Sequence, residues 1–217
     1  MSEKNTDDIE KIWMKRVRNL AGFLGMILPW VSLIGAILVA RTKGFPDGFW
    51  GELSISETYY VTPPLVGILT TASVVLMCYK GYNLKDHVIS ALAGIFGLMI
   101  VLFPCNCPAA SDIVGFFQLP VKISNTIHCA SAVAFFLLLS YMSLFQFTKG
   151  ADSSKKHIKN IIFKVCGIGM LCALALMVIP VEFFAKTFIV EAIALTFFGV
   201  SWLVKGEAFG FLSDDKA

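Results

Sequence analysis

Residues 20–40 read LAGFLGMILPWVSLIGAILVA, a run of 21 residues without a single charged side chain. A helix that crosses a bilayer needs about 20 mostly apolar residues, so this stretch predicts a membrane span. The apolar region of a secretory signal peptide is only about 7–15 residues long and precedes a small-residue cleavage pattern. Because neither feature is found here, we interpret residues 20–40 as a span that the mature protein keeps.

The rest of the chain repeats this pattern. Five further apolar runs are similar in length to the first, and together they predict an all-α bundle of six membrane helices. This bundle would occupy residues 20–204, between a cytoplasmic amphipathic arm over residues 1–19 and a short cytoplasmic tail over residues 205–217. The six expected spans cover residues 20–40, 61–79, 88–105, 123–148, 160–181 and 183–204.

Composition supports a polytopic membrane protein. Of the 217 residues, 57% are hydrophobic and only 15% are charged, against about 25% charged in a typical soluble domain. The mean hydropathy is +0.75. A soluble fold near 200 residues buries only about 70% of its surface, so it could not hide this much apolar area. Composition therefore excludes an ordinary soluble enzyme, a disordered protein and a nucleic-acid binder.

Basic residues predict the orientation. Of the 18 lysines and arginines, 14 fall in the termini and the connections on their side, and four fall on the other side. The positive-inside rule then places both termini in the cytoplasm. Short loops favour a bacterial inner membrane. Residues 7–20 alternate apolar and cationic positions in a way that indicates a helix lying on the inner membrane surface.

Polar residues collect near the predicted outer surface. Glu57 precedes the second span, His128 lies in the fourth, and Glu191 lies in the sixth. An ionisable side chain inside a membrane is costly and often marks a functional site. We therefore expect an outer-leaflet polar cavity, with Trp50 at its rim and with these three residues as candidates for catalysis. The expected ligand-binding residues are Ser56, Glu57, Tyr59, Tyr60, Asn125, His128 and Glu191.

Each candidate also has a structural interpretation. Glu57 could cap the second helix, and His128 could be a buried histidine that is hydrogen-bonded across helices. Glu191 could form a structural pair with His128 or with Lys186. A triad of Ser56, His128 and Glu191 is conceivable, but no nucleophile-elbow motif supports it.

No metal and no cofactor are expected. Of the three histidines, His87 and His157 fall on the predicted inner side, so a zinc site with three histidine ligands cannot form. No phosphate loop, dinucleotide fingerprint or haem motif is present. Cys105 and Cys107 lie at the outer end of the third span, and their oxidation state stays open.

Small residues at four-residue spacing predict close helix packing. The third span carries Ser90 with Gly94 and Ala93 with Gly97, and the fourth carries Ala130-x-x-x-Ala134. We interpret these faces as contacts within the bundle. The alternative is that they join copies of the chain in a homo-oligomer.

Three short motifs resemble those of a known group of six-span proteins. Ser54-Ile55-Ser56-Glu57 precedes the second span, Leu102-Phe103-Pro104 ends the third, and His128-Cys129-Ala130-Ser131 opens the fourth. Their order is similar to that in the DRAM-like (damage-regulated autophagy modulator) proteins, the Sfk-like proteins and their bacterial relatives. The resemblance covers about residues 20–204.

The resemblance implies a six-span bundle and, from the eukaryotic members, a role in lipid remodelling or lipid distribution. The matching positions are Ser56, Glu57, Pro104 and His128. The sequence departs from the group after Glu57, where residues 58–60 read TYY in place of small residues.

Taken together, these observations predict a membrane protein that binds a lipid or small amphiphile, for lipid organisation or sensing. Its expected partners are membrane lipids. One alternative is an intramembrane lipid hydrolase or transferase that uses the same residues. The other is a small proton- or cation-coupled transporter, in which Glu191 would bind the ion.

Overall fold

The computed structural model describes residues 3–44, 53–150 and 155–212, and in these residues the fold is all-α with one small hairpin. The helices are α1 (Glu3–Lys43), α2 (Pro64–Cys78), α3 (Leu84–Leu102), α4 (Val121–Tyr141), α5 (Lys156–Val178) and α6 (Lys186–Lys205). The shorter elements are a 3₁₀ turn (Ser56–Tyr60), strands β1 (Ile113–Val114) and β2 (Leu119–Pro120), a π-helical segment (Met142–Gln146) and a second 3₁₀ turn (Gly210–Leu212).

Five of these helices are long and apolar enough to cross a membrane, which is consistent with a membrane protein. The sixth apolar helix, α2, has only 15 residues. It is therefore about 22 Å long, short of the roughly 30 Å of bilayer hydrocarbon. The expected second span began at residue 61, but the helix begins at Pro64, a residue type that favours the first helical position. The described residues thus contain six α-helices, and five of these reach membrane length.

The N-terminal arm is continuous with the first span. Residues Glu3–Lys43 form a single helix of 41 residues, which is about 62 Å long and about twice the hydrocarbon thickness. No break in the helix marks the boundary expected at residue 20. The predicted surface helix is thus not a separate element, and its position on the inner membrane surface stays a prediction.

The six helices form a closed ring in chain order. Each helix packs against the next one along the chain, and α6 packs against α1. The α2–α3 connection is short, so these helices run antiparallel, and contacts place the starts of α4 and α6 at the end where α2 begins: His128 of α4 meets the residues that end α3, and Glu191 of α6 meets the loop before α2. We call this the distal end, and we call the opposite end, which carries the chain termini, the terminal end.

Small residues on α3 allow close packing against α2. A Cβ atom at Gly94 would lie 2.4 Å from the Ser73 carbonyl oxygen, and the Ser90 hydroxyl donates to the Leu76 carbonyl at 2.7 Å. The prediction of an internal packing face is confirmed for α3. It is wrong for α4, because Ala130 is exposed on the outside of the ring.

Aromatic side chains fill the interior towards the terminal end. The indole of Trp202 is 1% exposed, and it meets the rings of Tyr79 and Phe147 edge-on at 5.0 and 5.2 Å. Phe198 lies 5.9 Å from the same indole. Edge-to-face pairs of this kind add about 0.5–1.5 kcal/mol each beyond simple area burial, so they fix how the end of α2, the segment after α4 and α6 meet there.

Candidate functional site

At the distal end, the residues from 53 to 60 form a loop before α2 that is held by its own side chains. The Glu57 N–H donates to the Ser54 hydroxyl at 3.0 Å, and the Ser54 N–H donates to the Glu57 carboxylate at 3.3 Å. This reciprocal pair is a capping box, and it stabilises the start of the 3₁₀ turn Ser56–Tyr60. The capping interpretation of Glu57 is correct in kind, but the element it caps is this turn and not the second helix.

Glu191 on α6 hydrogen-bonds to the same loop and holds it against the bundle. Its carboxylate accepts the Ile55 N–H at 2.6 Å and the Ser56 hydroxyl at 3.0 Å. It lies five residues into α6, about 7.5 Å below the start of that helix. Short bonds to a carboxylate are among the stronger hydrogen bonds in proteins. Sequence reasoning therefore brought together the right pair, Ser56 and Glu191.

No cation among the described residues forms an ion pair with Glu191. The ammonium of Lys186, one turn earlier, instead donates to the Ile179 carbonyl at 2.8 Å and approaches Glu182 at 3.6 Å. The predicted pair between Glu191 and Lys186 is thus wrong. The loop backbone and Ser56 balance the carboxylate.

A cavity of about 40 Å³ lies beneath this loop, inside the ring. One water needs about 10–15 Å³ on the same scale, so the cavity holds a few waters and excludes a lipid chain. Apart from Glu191 and Ser56 its walls are apolar. They are formed by Leu28, Ile55, Leu65, Leu69, Ile100, Ala132, Phe135, Phe136 and Leu195.

His128 hydrogen-bonds to the end of α3 and does not line this cavity. Its Nδ1 atom donates to the carbonyl oxygens of Ile100 at 3.1 Å and Phe103 at 2.9 Å. In a regular helix the Ile100 carbonyl would accept the N–H of residue 104, but Pro104 has none. His128 supplies the missing donor. His128 is thus a buried structural histidine, but its partners are backbone carbonyls and not the Ser or Asn side chains that we expected. A triad with Ser56 does not form.

Asn125 also anchors the connection after α3. Its side-chain oxygen accepts the Asn106 N–H at 2.9 Å, and nearby the Ser124 hydroxyl donates to the Pro104 carbonyl at 2.8 Å. Asn125 is absent from the lining of the cavity described above. The predicted ligand-binding residues therefore do not form one site. The two on α4, Asn125 and His128, instead stabilise the connection between α3 and α4.

Tyr59 and Tyr60 line a separate groove on the outside of the distal end. This open groove has a volume of about 590 Å³, within the range of roughly 300–1,000 Å³ for ligand sites. It runs between the loop, the start of α2, the end of α3 and the tip of the β-hairpin, where Phe116 is 77% exposed. Its lining consists of Tyr59, Tyr60, Val61, Thr62, Pro63, Val66, Val101, Leu102 and Phe116.

The polar groups beside the groove are held in fixed positions. The Tyr60 hydroxyl donates to the Cys105 carbonyl at 2.7 Å, and burial raises the pKa of Tyr60 above its usual value. Cys105 and Cys107 are both free thiols. Burial raises the pKa of each, most of all that of Cys105, and this disfavours the reactive thiolate.

Sequence reasoning missed the apolar half of this site. Val66, Val101 and Phe116 belong to three segments, and each reads as ordinary span or loop sequence. The capping box was visible as the Ser-x-x-Glu pattern that starts at Ser54. Trp50, expected at the rim, lies outside the described residues. Within the described ranges, no three His, Cys, Asp or Glu side chains cluster as a metal site requires.

No protein-family model, curated protein or solved structure matches this chain. The resemblance to the DRAM-like group therefore stays a prediction. Function has to be argued from the geometry alone.

Proposed function

We propose that this protein is an integral membrane protein that holds a lipid or similar amphiphile at the distal end of its bundle. The acyl chain lies in the groove between α2, α3 and the hairpin, and the polar head lies near Tyr59 and Tyr60. The observation that carries the proposal is the open apolar groove of about 590 Å³. Lipid is the solvent around this part of a membrane protein, so an open apolar groove there is available to acyl chains.

Glu191 has a supporting role in this proposal. Its bonds to Ile55 and Ser56 fix the loop whose next turn carries Tyr59 and Tyr60. These tyrosines form one wall of the groove. Glu191 therefore positions the wall, and the small cavity under the loop keeps its carboxylate away from the lipid chain.

Native mass spectrometry of the full-length protein, released from detergent and combined with lipid extraction, tests the proposal. We expect one retained lipid class on the wild-type protein. Val66→Trp places an indole in the groove and should lower the retained fraction about tenfold. Val74→Trp is the matched control, because Val74 is on the same helix, two turns further on, and is exposed outside the groove.

Two results would contradict the proposal. One is wild-type protein that carries no lipid, or only a mixture that matches the bulk membrane. The other is equal lipid retention by Val66→Trp and Val74→Trp.

Ion-coupled transport is a second candidate, and one observation favours it. Glu191 faces a cavity inside the ring and has no ion-pair partner among the described residues. A proton or cation could bind there when the loop opens. Flux in proteoliposomes that disappears in Glu191→Gln would support transport, and no flux above empty liposomes would exclude it.

An intramembrane hydrolase or transferase has less support. The Ser56 hydroxyl donates directly to the carboxylate of Glu191, and the imidazole of His128 is bonded to the α3 backbone. A serine nucleophile needs a base that accepts its proton and a third group that orients the base. Here no histidine lies between the Ser56 hydroxyl and the carboxylate of Glu191, so the set of nucleophile, base and orienting group is incomplete.

A further inference from the structure

The terminal end of the bundle contains a second pocket, of about 140 Å³, with a strongly cationic lining. Its lining comes from α1, the α2–α3 connection, the connection after α4, α5, and the end of α6 with the residues that follow it. Five of its lining residues are basic, namely Arg18, Lys149, Lys156, Lys159 and Lys205, and the one acidic residue in its lining is Glu207.

Lys205 is the central residue of this pocket, and the groups in direct contact with its ammonium are neutral. Its ammonium donates to the Tyr82 hydroxyl at 2.7 Å and to the Phe147 carbonyl at 3.1 Å. The ring centroids of Tyr82, Phe147 and Phe163 lie 4.8, 5.6 and 5.8 Å from it. Cation–π contacts of this kind hold an ammonium without neutralising it. Arg18 and the lysines of α5 are close enough to repel it.

Two carboxylates among the described residues pair with lysines of this pocket and its surroundings. Glu207 is shared by Lys15 at 2.8 Å and Lys159 at 2.9 Å, and Asp86 pairs with Lys149 at 2.7 Å. Burial raises the pKa of Glu207, but hydrogen bonds from the two lysines outweigh burial and hold it below its usual value. Among the described residues, the pocket and its immediate partners thus hold six cations and two carboxylates.

Buried polar atoms at the same end of the bundle lack hydrogen-bond partners. Among the described residues, the Nε atom of Arg18 and both side-chain polar atoms of Gln146 are unpaired, and so are Oδ2 of Asp86 and the Oδ1 atoms of Asn19 and Asn160. The Arg18 guanidinium lies over the ring of Tyr79, at 5.6 Å, and Gln146 directly precedes Phe147 of the pocket lining. Leaving a buried polar atom unpaired is costly, so the unpaired donor of Arg18 indicates a polar occupant.

We propose that this pocket binds a phosphate group, carried by free phosphate or by the head group of an anionic lipid. A phosphate presents several charged oxygens and can bridge cations from α1, α5 and α6 at once. Basic pockets between membrane helices on the cytoplasmic side bind phospholipid head groups, and the lysine distribution predicts that this end faces the cytoplasm. This site is independent of the distal groove.

Isothermal titration of the full-length protein in detergent tests the first source. Sodium phosphate is titrated and compared with sodium chloride at equal ionic strength. We expect saturable binding of phosphate that weakens about tenfold or more in Lys205→Gln, since a charge-assisted hydrogen bond is lost. Lys156→Gln, nearer the pocket rim, repeats the test if Lys205→Gln does not fold. Lys85→Gln is the control, because it removes an exposed charge outside the pocket lining.

Native mass spectrometry from nanodiscs of phosphatidylcholine with phosphatidic acid tests the second source. Retention of phosphatidic acid that is lost in the pocket variants, without binding of free phosphate, assigns the site to a lipid head group. Saturable binding of free phosphate assigns it to a soluble ligand. If both pocket variants behave like Lys85→Gln in both experiments, or if chloride reproduces the phosphate signal, the proposal is overturned.

Discussion

Replacing Glu191 should release the loop that borders the groove, and the contacts allow the size of the effect to be worked out. The carboxylate accepts the Ile55 N–H at 2.6 Å and the Ser56 hydroxyl at 3.0 Å. Ile55 is 3% exposed, so water cannot replace the lost acceptor while the loop stays closed. Ser56 is half-exposed and can turn towards water.

In Glu191→Ala, the unpaired Ile55 N–H costs about 1–3 kcal/mol and the loss of the Ser56 bond adds about 0.5–1.5 kcal/mol. Opening of the loop should therefore become easier by about 1.5–4.5 kcal/mol, which is roughly 10- to 2,000-fold. Glu191→Gln keeps a carbonyl acceptor for Ile55, and its amide can donate to the Ser56 oxygen. Its cost should be only about 1 kcal/mol, or roughly fivefold, for the lost charge assistance.

Hydrogen exchange followed by mass spectrometry on peptides that cover residues 53–60 measures loop opening directly. The expected order of protection is wild type, then Glu191→Gln, then Glu191→Ala. Thr196→Ala is the control, because Thr196 lies on the same helix and its hydroxyl donates to the carbonyl of Ala192 in that helix. Unchanged protection of Ile55 in Glu191→Ala would refute the argument that this carboxylate holds the loop.

Three further predictions concern the fold. His128→Ala should lower the melting temperature in the wild-type background but much less in a Pro104→Ala background, where residue 104 regains its N–H; equal losses in both backgrounds would exclude a capping role for His128. Gly94→Ala should destabilise the bundle by about 1–3 kcal/mol, because its Cβ would meet the α2 backbone, whereas Gly67→Ala, with open space around it, should leave the melting temperature unchanged or slightly raised. Glu207 has a lowered pKa in the folded protein. Its contribution to stability is therefore present above its unfolded pKa of about 4.3 and is lost as the pH falls through the lower folded pKa. Glu207→Gln should flatten the acid limb of a plot of melting temperature against pH, and an unchanged limb would contradict this.

The helical architecture was predictable because membrane spans depend on local composition. An uncharged run such as residues 20–40 has few alternatives to a helix in a bilayer. Helix ends depend on single residues and were less accurate. α2 begins at Pro64 and has 15 residues, against an expected span from 61 to 79. The boundary expected at residue 20 marked only where the charged residues end. Since no helix-breaking residue stands there, the helix continues through it.

The candidate site was predictable only where residues are close in sequence or share a depth. Ser56 and Glu191 were grouped because both fall near the same end of a span, and they do form a hydrogen bond. His128 was grouped with them for the same reason, but depth does not determine which way a side chain points around the helix. It points towards the carbonyls of Ile100 and Phe103, which lie 28 and 25 positions earlier in the chain, and spacing alone does not reveal these pairings.

The basic residues illustrate a second limit. The charge distribution in the sequence correctly assigns three basic residues, Arg18, Lys159 and Lys205, to the same side of the bundle, since they contribute to the predicted orientation. Their convergence on one pocket depends on α1, α5 and α6 packing as neighbours in the ring. Ring order is a tertiary property, so charge counting alone could not distinguish a topology signal from a binding site.

The central claim is that the distal groove holds an acyl chain, and photoaffinity labelling in a bilayer tests it most directly. The protein is reconstituted with a phospholipid that carries a diazirine on its acyl chain, irradiated and mapped by peptide sequencing. The account predicts labelling concentrated on Val66, Val101 and Phe116 and abolished by Val66→Trp. Labelling spread evenly over exposed apolar faces, such as that of α5 with Val165 and Ile168, and unchanged in Val66→Trp would contradict it.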